Sequence, residues 1–308
     1  MKSQEEIMKV MRMSVCVMLL LASALPMFAA GAKEAPLGSE ENPIIWSFVP
    51  SGETERVSAG AQKVADMLFD KTGLYIKTNV ATEYAGVIEA LSSKPPQAHM
   101  ASLATFAYVM AAERGVAQAV LVAVRYGSPT YNGQFIVGAD TGISSVADLR
   151  GKTFARPDAL STSGWIIPML TMRAAGIDPE KDLGGIVDAG SHDSVVAAVY
   201  NGDVDAGATF VDARTTLEKT NPDVMDKVKV IAVTADIPND GVQMSPAVPD
   251  DIKEKIINAL LEISATKEGK DALKIAYSWN ELVRKDDSFY DPFRQVLQAS
   301  GLSVEDLQ

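Results

Sequence analysis

From Ile44 onward, short apolar segments alternate with segments whose apolar residues recur at helical spacing, and this rhythm restricts the chain to an α/β architecture with helices packed on sheets. Residues 44–49 read as a buried strand, and Val57, Ala61, Val64, Ala65 and Leu68 mark one face of the helix that follows. Residues 74–80 and 99–103 supply two more strands, with helices at 86–91 and 106–113 between and after them, an order that implies parallel strands joined by crossover helices. Two further strand candidates follow at 119–125 and 134–138.

The rhythm restarts at Ser144. A helical turn at 145–149, a strand at 153–155 and a helix at 163–175 that ends at Gly176 open a second α/β unit. Strands at 186–189, 205–210 and 228–233, with helices at 193–200 and 211–219, continue it. From Pro249 the chain reads as helical, with Ile252, Ile256, Leu260 and Ile263 on one face and a last amphipathic segment at 289–299. A chain of 308 residues exceeds the size at which one core tends to split, so two lobes are expected.

Residues 14–28 form a mainly apolar run preceded by Lys9 and Arg12 and followed by Ala30-Gly31-Ala32. The run is close to the ~15-residue limit of a signal's apolar region and shorter than the ~20 residues of a spanning helix. Residues 1–32 are therefore expected to be a cleaved secretory signal, even though Glu5 and Glu6 sit in a region that is usually basic. Cys16, the single cysteine, lies inside this run and not at its end, which opposes a lipid anchor and leaves the mature chain without a thiol. A free periplasmic protein fits. The net charge of −12, without a cluster of Lys and Arg, opposes nucleic-acid binding.

The stretch Ser161-Thr162-Ser163-Gly164 stands after a strand and at the start of a helix. Unpaired N–H groups and partial positive charge at a helix start suit an oxyanion, three hydroxyls add donors, and Gly164 is expected to let an anion approach the backbone. Ordinary capping needs only one hydroxyl. His192 opens the next predicted helix, and Asp212 follows a strand end, where α/β sheets gather their ligands. Ser, His and Asp together also raise a hydrolase as the alternative, although the chain lacks a Gly-x-Ser-x-Gly elbow. Gly151-Lys152-Thr153 is not a phosphate-binding P-loop, since Val146 stands where the first glycine is required. His99 and His192, the two histidines, are far apart and have no Cys partners, so no metal or other cofactor is expected.

In this order and spacing, Glu83-Tyr84-Ala85-Gly86-Val87-Ile88, Gly127-Ser128-Pro129-Thr130-Tyr131, Asp148-Leu149-Arg150-Gly151-Lys152-Thr153-Phe154, Ser161-Thr162-Ser163-Gly164, Gly190-Ser191-His192-Asp193 and Ile237-Pro238-Asn239-Asp240 resemble the phosphonate-, phosphite- and phosphate-binding proteins of ABC importers. The resemblance runs from Ile44 to about Leu297 and implies the type II periplasmic-binding-protein fold: α/β, two lobes, each a mixed sheet flanked by helices, joined by two crossover hinge strands. Lobe one would comprise 43–136 plus 236–308, and lobe two 137–235. The resemblance further implies that Ser161, Thr162 and Ser163 hold phosphorus oxygens, that Tyr84 and Tyr131 are ligand contacts, and that His192, Asp212 and Asp240 complete the site. The carboxylates would accept a P–OH or the ammonium of an aminoalkylphosphonate, which puts a phosphonate first, with 2-aminoethylphosphonate a leading candidate, then phosphite, then phosphate. A small phosphorus ligand and the membrane permease of the importer are the implied partners; the expected state is a monomer and not an enzyme, with a receptor's sensor module as another use of the same clamp. Two stretches depart from the family's pattern: Arg156-Pro157-Asp158-Ala159-Leu160, where Arg156 either adds a cation or faces solvent, and Ala98-His99-Met100-Ala101-Ser102-Leu103-Ala104-Thr105 around the third strand.

Overall fold

The computed structural model describes residues 35–307, so the expected signal at 1–32 and Cys16 lie outside the described residues. The chain runs β1 (Ile44–Phe48), α1 (Thr54–Thr72), β2 (Ile76–Val80), α2 (Tyr84–Ser92), β3 (Met100–Ser102), α3 (Thr105–Glu113) and β4 (Gln118–Val124). It continues through β5 (Thr130–Gly138), β6 (Thr153–Arg156), α4 (Ile167–Ala174), β7 (Gly185–Asp188), α5 (His192–Asn201), β8 (Ala206–Phe210) and β9 (Val228–Pro238). It then returns with β10 (Gly241–Met244), α6 (Asp250–Ala265), α7 (Lys267–Tyr277), β11 (Glu281–Arg284) and α8 (Asp291–Ala299). Among the described residues no helix is long and apolar enough to cross a membrane.

Two mixed sheets result, one of six strands in the order β11-β4-β10-β3-β1-β2 and one of five in the order β7-β6-β8-β5-β9. The expected parallel strands with crossover helices are β1, β2 and β3, paired as Ile44 with Ile76 and Trp46 with Met100. β10 then enters antiparallel between β3 and β4. In the second sheet β6 lies parallel to both β7 and β8, while β5 runs antiparallel to β8 and β9. β5 pairs with the second sheet from Thr130 onward, upstream of the boundary read at 136. The chain therefore crosses between the sheets at 125–129 and at 239–240. These crossings touch, because Asn239 donates its N–H to Pro129 O (2.9 Å) and its amide nitrogen to Ser128 O (3.1 Å).

The apolar stripe of α1 is buried at Val57, Ala61, Val64, Ala65 and Leu68, as its spacing predicts. Gly60 lies on the same stripe where α1 crosses α7, and a Cβ there would come within 2.4 Å of Ala276 N, so only glycine allows so close an approach. Trp46 and Phe48 of β1 pack ring on ring at 4.8 Å, and the Trp46 indole N–H donates to Ser102 Oγ (3.1 Å). His99 is structural: its Nδ1 accepts the Ile45 N–H at 3.1 Å, where β1 and β3 begin.

Two segments differ from their sequence reading. Residues 211–219 hold no long helix; Asp212 caps a single 3-10 turn, Ala213–Thr216, because its carboxylate accepts from Arg214 N and the chain then turns away. The C-terminal stretch is not wholly helical, since Glu281–Arg284 forms β11 on the edge of the first sheet, pairing Leu282 with Ala123.

Candidate ligand-binding site

A cavity of about 70 Å³ lies between the two sheets, beyond the carboxyl ends of β6 and β8. That is where parallel strands leave loops and helix starts free to meet a ligand. Tyr84, Tyr131, Ser161, Ser163, His192, Asp212 and Asp240 all line it. Thr162 does not. Its hydroxyl instead accepts the Phe106 N–H at 2.8 Å, a buried bond from the start of α3 in the other half of the molecule.

The three hydroxyls thus have separate tasks. Ser161 Oγ accepts the Gly164 N–H (3.2 Å) as the cap of a π-helical turn, Thr162–Ile166, that leads into α4. Ser163 faces the cavity near Tyr131, and Ser161 lies near Tyr84. Gly164 serves packing and not anion approach, since a Cβ there would meet Pro157 Cδ at 2.3 Å. Burial raises the Tyr84 pKa well above the ordinary value and pushes Tyr131 up to about 12, so both phenols are protonated donors.

His192 is 3% exposed, and its Nδ1 accepts the Phe210 N–H at 3.3 Å. With Nδ1 an acceptor, the ring proton of the neutral form is on Nε2, which faces Ser161 Oγ at 3.4 Å. Burial drives the pKa down to about 3, opposed by Asp193 and assisted by Arg125, so the ring stays a neutral donor. This tautomer also argues against a Ser-His-Asp triad. A general base needs a free Nε2 lone pair and a carboxylate on Nδ1–H, and here both conditions fail.

Between the ordinary 6.5 and about 3 the unfolded chain binds the His192 proton and the folded one does not, so this group's stabilising contribution is present above pH 6.5 and is lost as pH falls toward 3. Denaturant midpoints measured from about pH 6 to about pH 4 should show a slope steeper by about 1.4 kcal/mol per pH unit in the native protein than in His192→Gln. Parallel profiles would mean that the ring is charged in the fold.

Both carboxylates of the site are already paired. Asp240 accepts from the Arg125 guanidinium through both oxygens (2.6 and 3.0 Å) and from the Trp279 indole N–H (3.1 Å). Asp212 accepts from Arg214 (2.6 and 2.9 Å) and from the Gln134 amide (3.0 Å). Burial alone would raise the Asp212 pKa, but these donors hold it below the ordinary range.

Arg125, Arg56 and Tyr277 also line the cavity, and the sequence reading passed over all three. Arg125 follows the last residue of β4 and carried no signal beyond that position. Arg156, left undecided by the sequence, stacks over Trp165 at 4.4 Å and binds Asp188 at 2.6 Å, away from the cavity.

Residues 46–290 match the family described as ABC transporter, phosphonate, periplasmic substrate-binding protein. The phosphate-import protein PhnD of Mycolicibacterium smegmatis is 29% identical over 283 residues, covering 84% of this chain and 86% of its own. The solved binding-protein component of an ABC phosphonate transporter from Pseudomonas aeruginosa superposes with a TM-score of 0.77 at 24% identity, covering 86% of this chain and 87% of its own. PhnD1 of Prochlorococcus marinus, solved in complex with methylphosphonate, gives 0.74 at 16% identity, covering 83% of this chain and 97% of its own. These structures carry the type II periplasmic-binding-protein fold, and this chain shares it. The family works outside the cytoplasm, where its members bind small phosphonates for an ABC permease and are transport proteins, not enzymes. With the match spanning most of its length, the chain belongs to the family of periplasmic substrate-binding proteins of phosphonate ABC transporters.

Proposed function

We propose that this protein captures a compact phosphorus oxyanion, either phosphite or a phosphonate with a small uncharged substituent, between two lobes that close over it. The lobes are residues 37–128 plus 239–307 and residues 129–238. Phosphorus oxygens would accept hydrogen bonds from Tyr84, Tyr131, Ser161, Ser163 and the His192 Nε2–H, with Asp212 and Asp240 accepting from a P–OH through their remaining lone pairs. Thr162 would contribute to closure and not to the ligand. The protein would act as a monomer free of lipid and of nucleic acid, handing its ligand to the permease.

The observation that carries the ligand class is the pairing of both carboxylates with guanidinium groups. An ammonium entering this cavity would meet two neutralised carboxylates and would lose its own hydration, a desolvation that nothing in the site offsets. That moves 2-aminoethylphosphonate from the leading place it had on the sequence to one behind methylphosphonate and phosphite. The small cavity supports the same reading, and so does the relative solved with methylphosphonate.

Thermal-shift titration tests it, because a ligand bound only by the native state raises the midpoint. Methylphosphonate or phosphite should give the largest shift, 2-aminoethylphosphonate and phosphate smaller ones, and sulfate, which cannot present a P–OH-like donor at neutral pH, none. A larger shift with 2-aminoethylphosphonate than with methylphosphonate would show that a carboxylate leaves its arginine for the ligand.

A further inference from the structure

We propose that Asp193 is a positioning residue, a clasp across the mouth of the cleft that holds the closed geometry without touching the ligand; this rests on the two-lobe reading above. Asp193 lies in the first turn of α5, beside His192. Its Oδ2 accepts from Arg56 Nη2 at 3.0 Å and from the Glu53 N–H at 3.0 Å, both on the other side of the cleft at the start of α1. One residue earlier, the His192 N–H donates to Ser51 O at 3.2 Å. Three bonds thus bring the start of α5 against residues 51–56, and the ring of His192 enters the cavity from the same turn.

The receiving side is prepared for this contact. Arg56 is held by its Nη1, which donates to Ile275 O at 3.1 Å near the end of α7. Gly52 lies over the guanidinium, where a Cβ would be 2.2 Å from Nη2, so any side chain there would displace Arg56. Asp193 Oδ1 is buried without a hydrogen-bond partner among the described residues. A carboxylate placed for solvent would keep both oxygens wet; this one gives up one of them to reach across the cleft. On the far edge, Asp158 Oδ2 accepts the Tyr84 N–H at 3.1 Å, a bond of the same kind without an opposite charge.

An ion pair that forms only when the two sides meet favours the closed state by its whole free energy, whichever ligand lies inside. Apparent affinity scales with the fraction of molecules able to close, so loss of the clasp weakens all ligands by one common factor.

The test uses calorimetric titration with methylphosphonate and with phosphite, and small-angle scattering with and without methylphosphonate, on the native protein, Asp193→Ala and Asp193→Asn. Asp193→Ala should weaken both ligands about tenfold, leave the ratio of their affinities unchanged and enlarge the radius of gyration of the ligand-free protein. Asp193→Asn, which keeps an acceptor for the Glu53 N–H, should fall between the two. Unchanged affinity with unchanged scattering would overturn the proposal, as would a change confined to one ligand or tighter binding through a released Arg56. Should the native protein bind neither compound, the ligand reading fails, and the clasp still stands or falls on the scattering of the ligand-free proteins.

Discussion

Ser161→Ala should weaken methylphosphonate binding about a hundredfold while costing little stability. A hydrogen bond to a charged group is worth about 1.5–3 kcal/mol, or roughly 10- to 150-fold in affinity. Ser161 Oγ is the hydroxyl on which the others converge, being bonded to the Gly164 N–H and within 3.4 Å of His192 Nε2. On the proposed reading, losing it removes a ligand donor and disturbs the neighbouring phenol of Tyr84 and the imidazole. The folded state loses mainly a cap, about 1 kcal/mol. Thr162→Val should act differently: it touches no ligand atom but leaves the buried Phe106 N–H unsatisfied when the two sides meet, so it should weaken methylphosphonate and phosphite by one common factor. Calorimetric titration and denaturant melts of both variants separate the two roles. Affinity of Ser161→Ala within about threefold of the native value would reduce the motif to ordinary capping.

Asp240→Ala should be among the most destabilising single changes near the cavity. Arg125 and Asp240 side chains are 16% and 14% exposed, and the carboxylate also receives the Trp279 N–H. Removing it leaves a largely buried guanidinium without its counter-charge, a situation that costs about 3–5 kcal/mol. For a chain of this size that corresponds to a fall in melting midpoint of roughly 10 °C. Asp240→Asn keeps an oxygen for Trp279 and should lose less. It also leaves Arg125 with uncompensated positive charge toward the ligand, so the dianion of each ligand should gain over its monoanion. A melt of Asp240→Ala that matches the native protein would show that the pair does not form in solution.

What the sequence disclosed and what it hid follow from the range of the interactions involved. The apolar run of β1 and the stripe of α1 are local patterns tied to burial, and both were legible. The strand-end positions of Ser161, His192 and Asp212 followed from local order, so their common place on the second sheet was legible. Resemblance to a known family was needed for Tyr84, Tyr131 and Asp240. Arg125 was not legible, because its partner is chosen by the fold: Asp240 lies more than a hundred positions away; Arg214 lies two positions from Asp212, a spacing that the helix read at 211–219 would put on different faces. Missing those partners made the carboxylates look free, which is why the sequence favoured an ammonium ligand. Residues 211–219 were misread as a helix for a related reason. Asp212 is a good cap, but Arg214 ties it down and the chain leaves after one turn. β11 escaped notice because four residues in a helical neighbourhood carry too little periodicity to be told from a turn.

The connectivity of the first sheet also orders the way this molecule assembles. β5 to β9 are consecutive in the chain, so the second sheet can form from residues 130–238 as soon as they are available. The first sheet cannot. β10 fills the place between β3 and β4, so these two strands have no common neighbour until Gly241–Met244 return across more than a hundred residues. Closing so long a loop is entropically costly, and such non-local pairings slow folding. The cleft is therefore the last part of the molecule to form, and a fragment that stops before Met244 has a second sheet but nothing complete to close against.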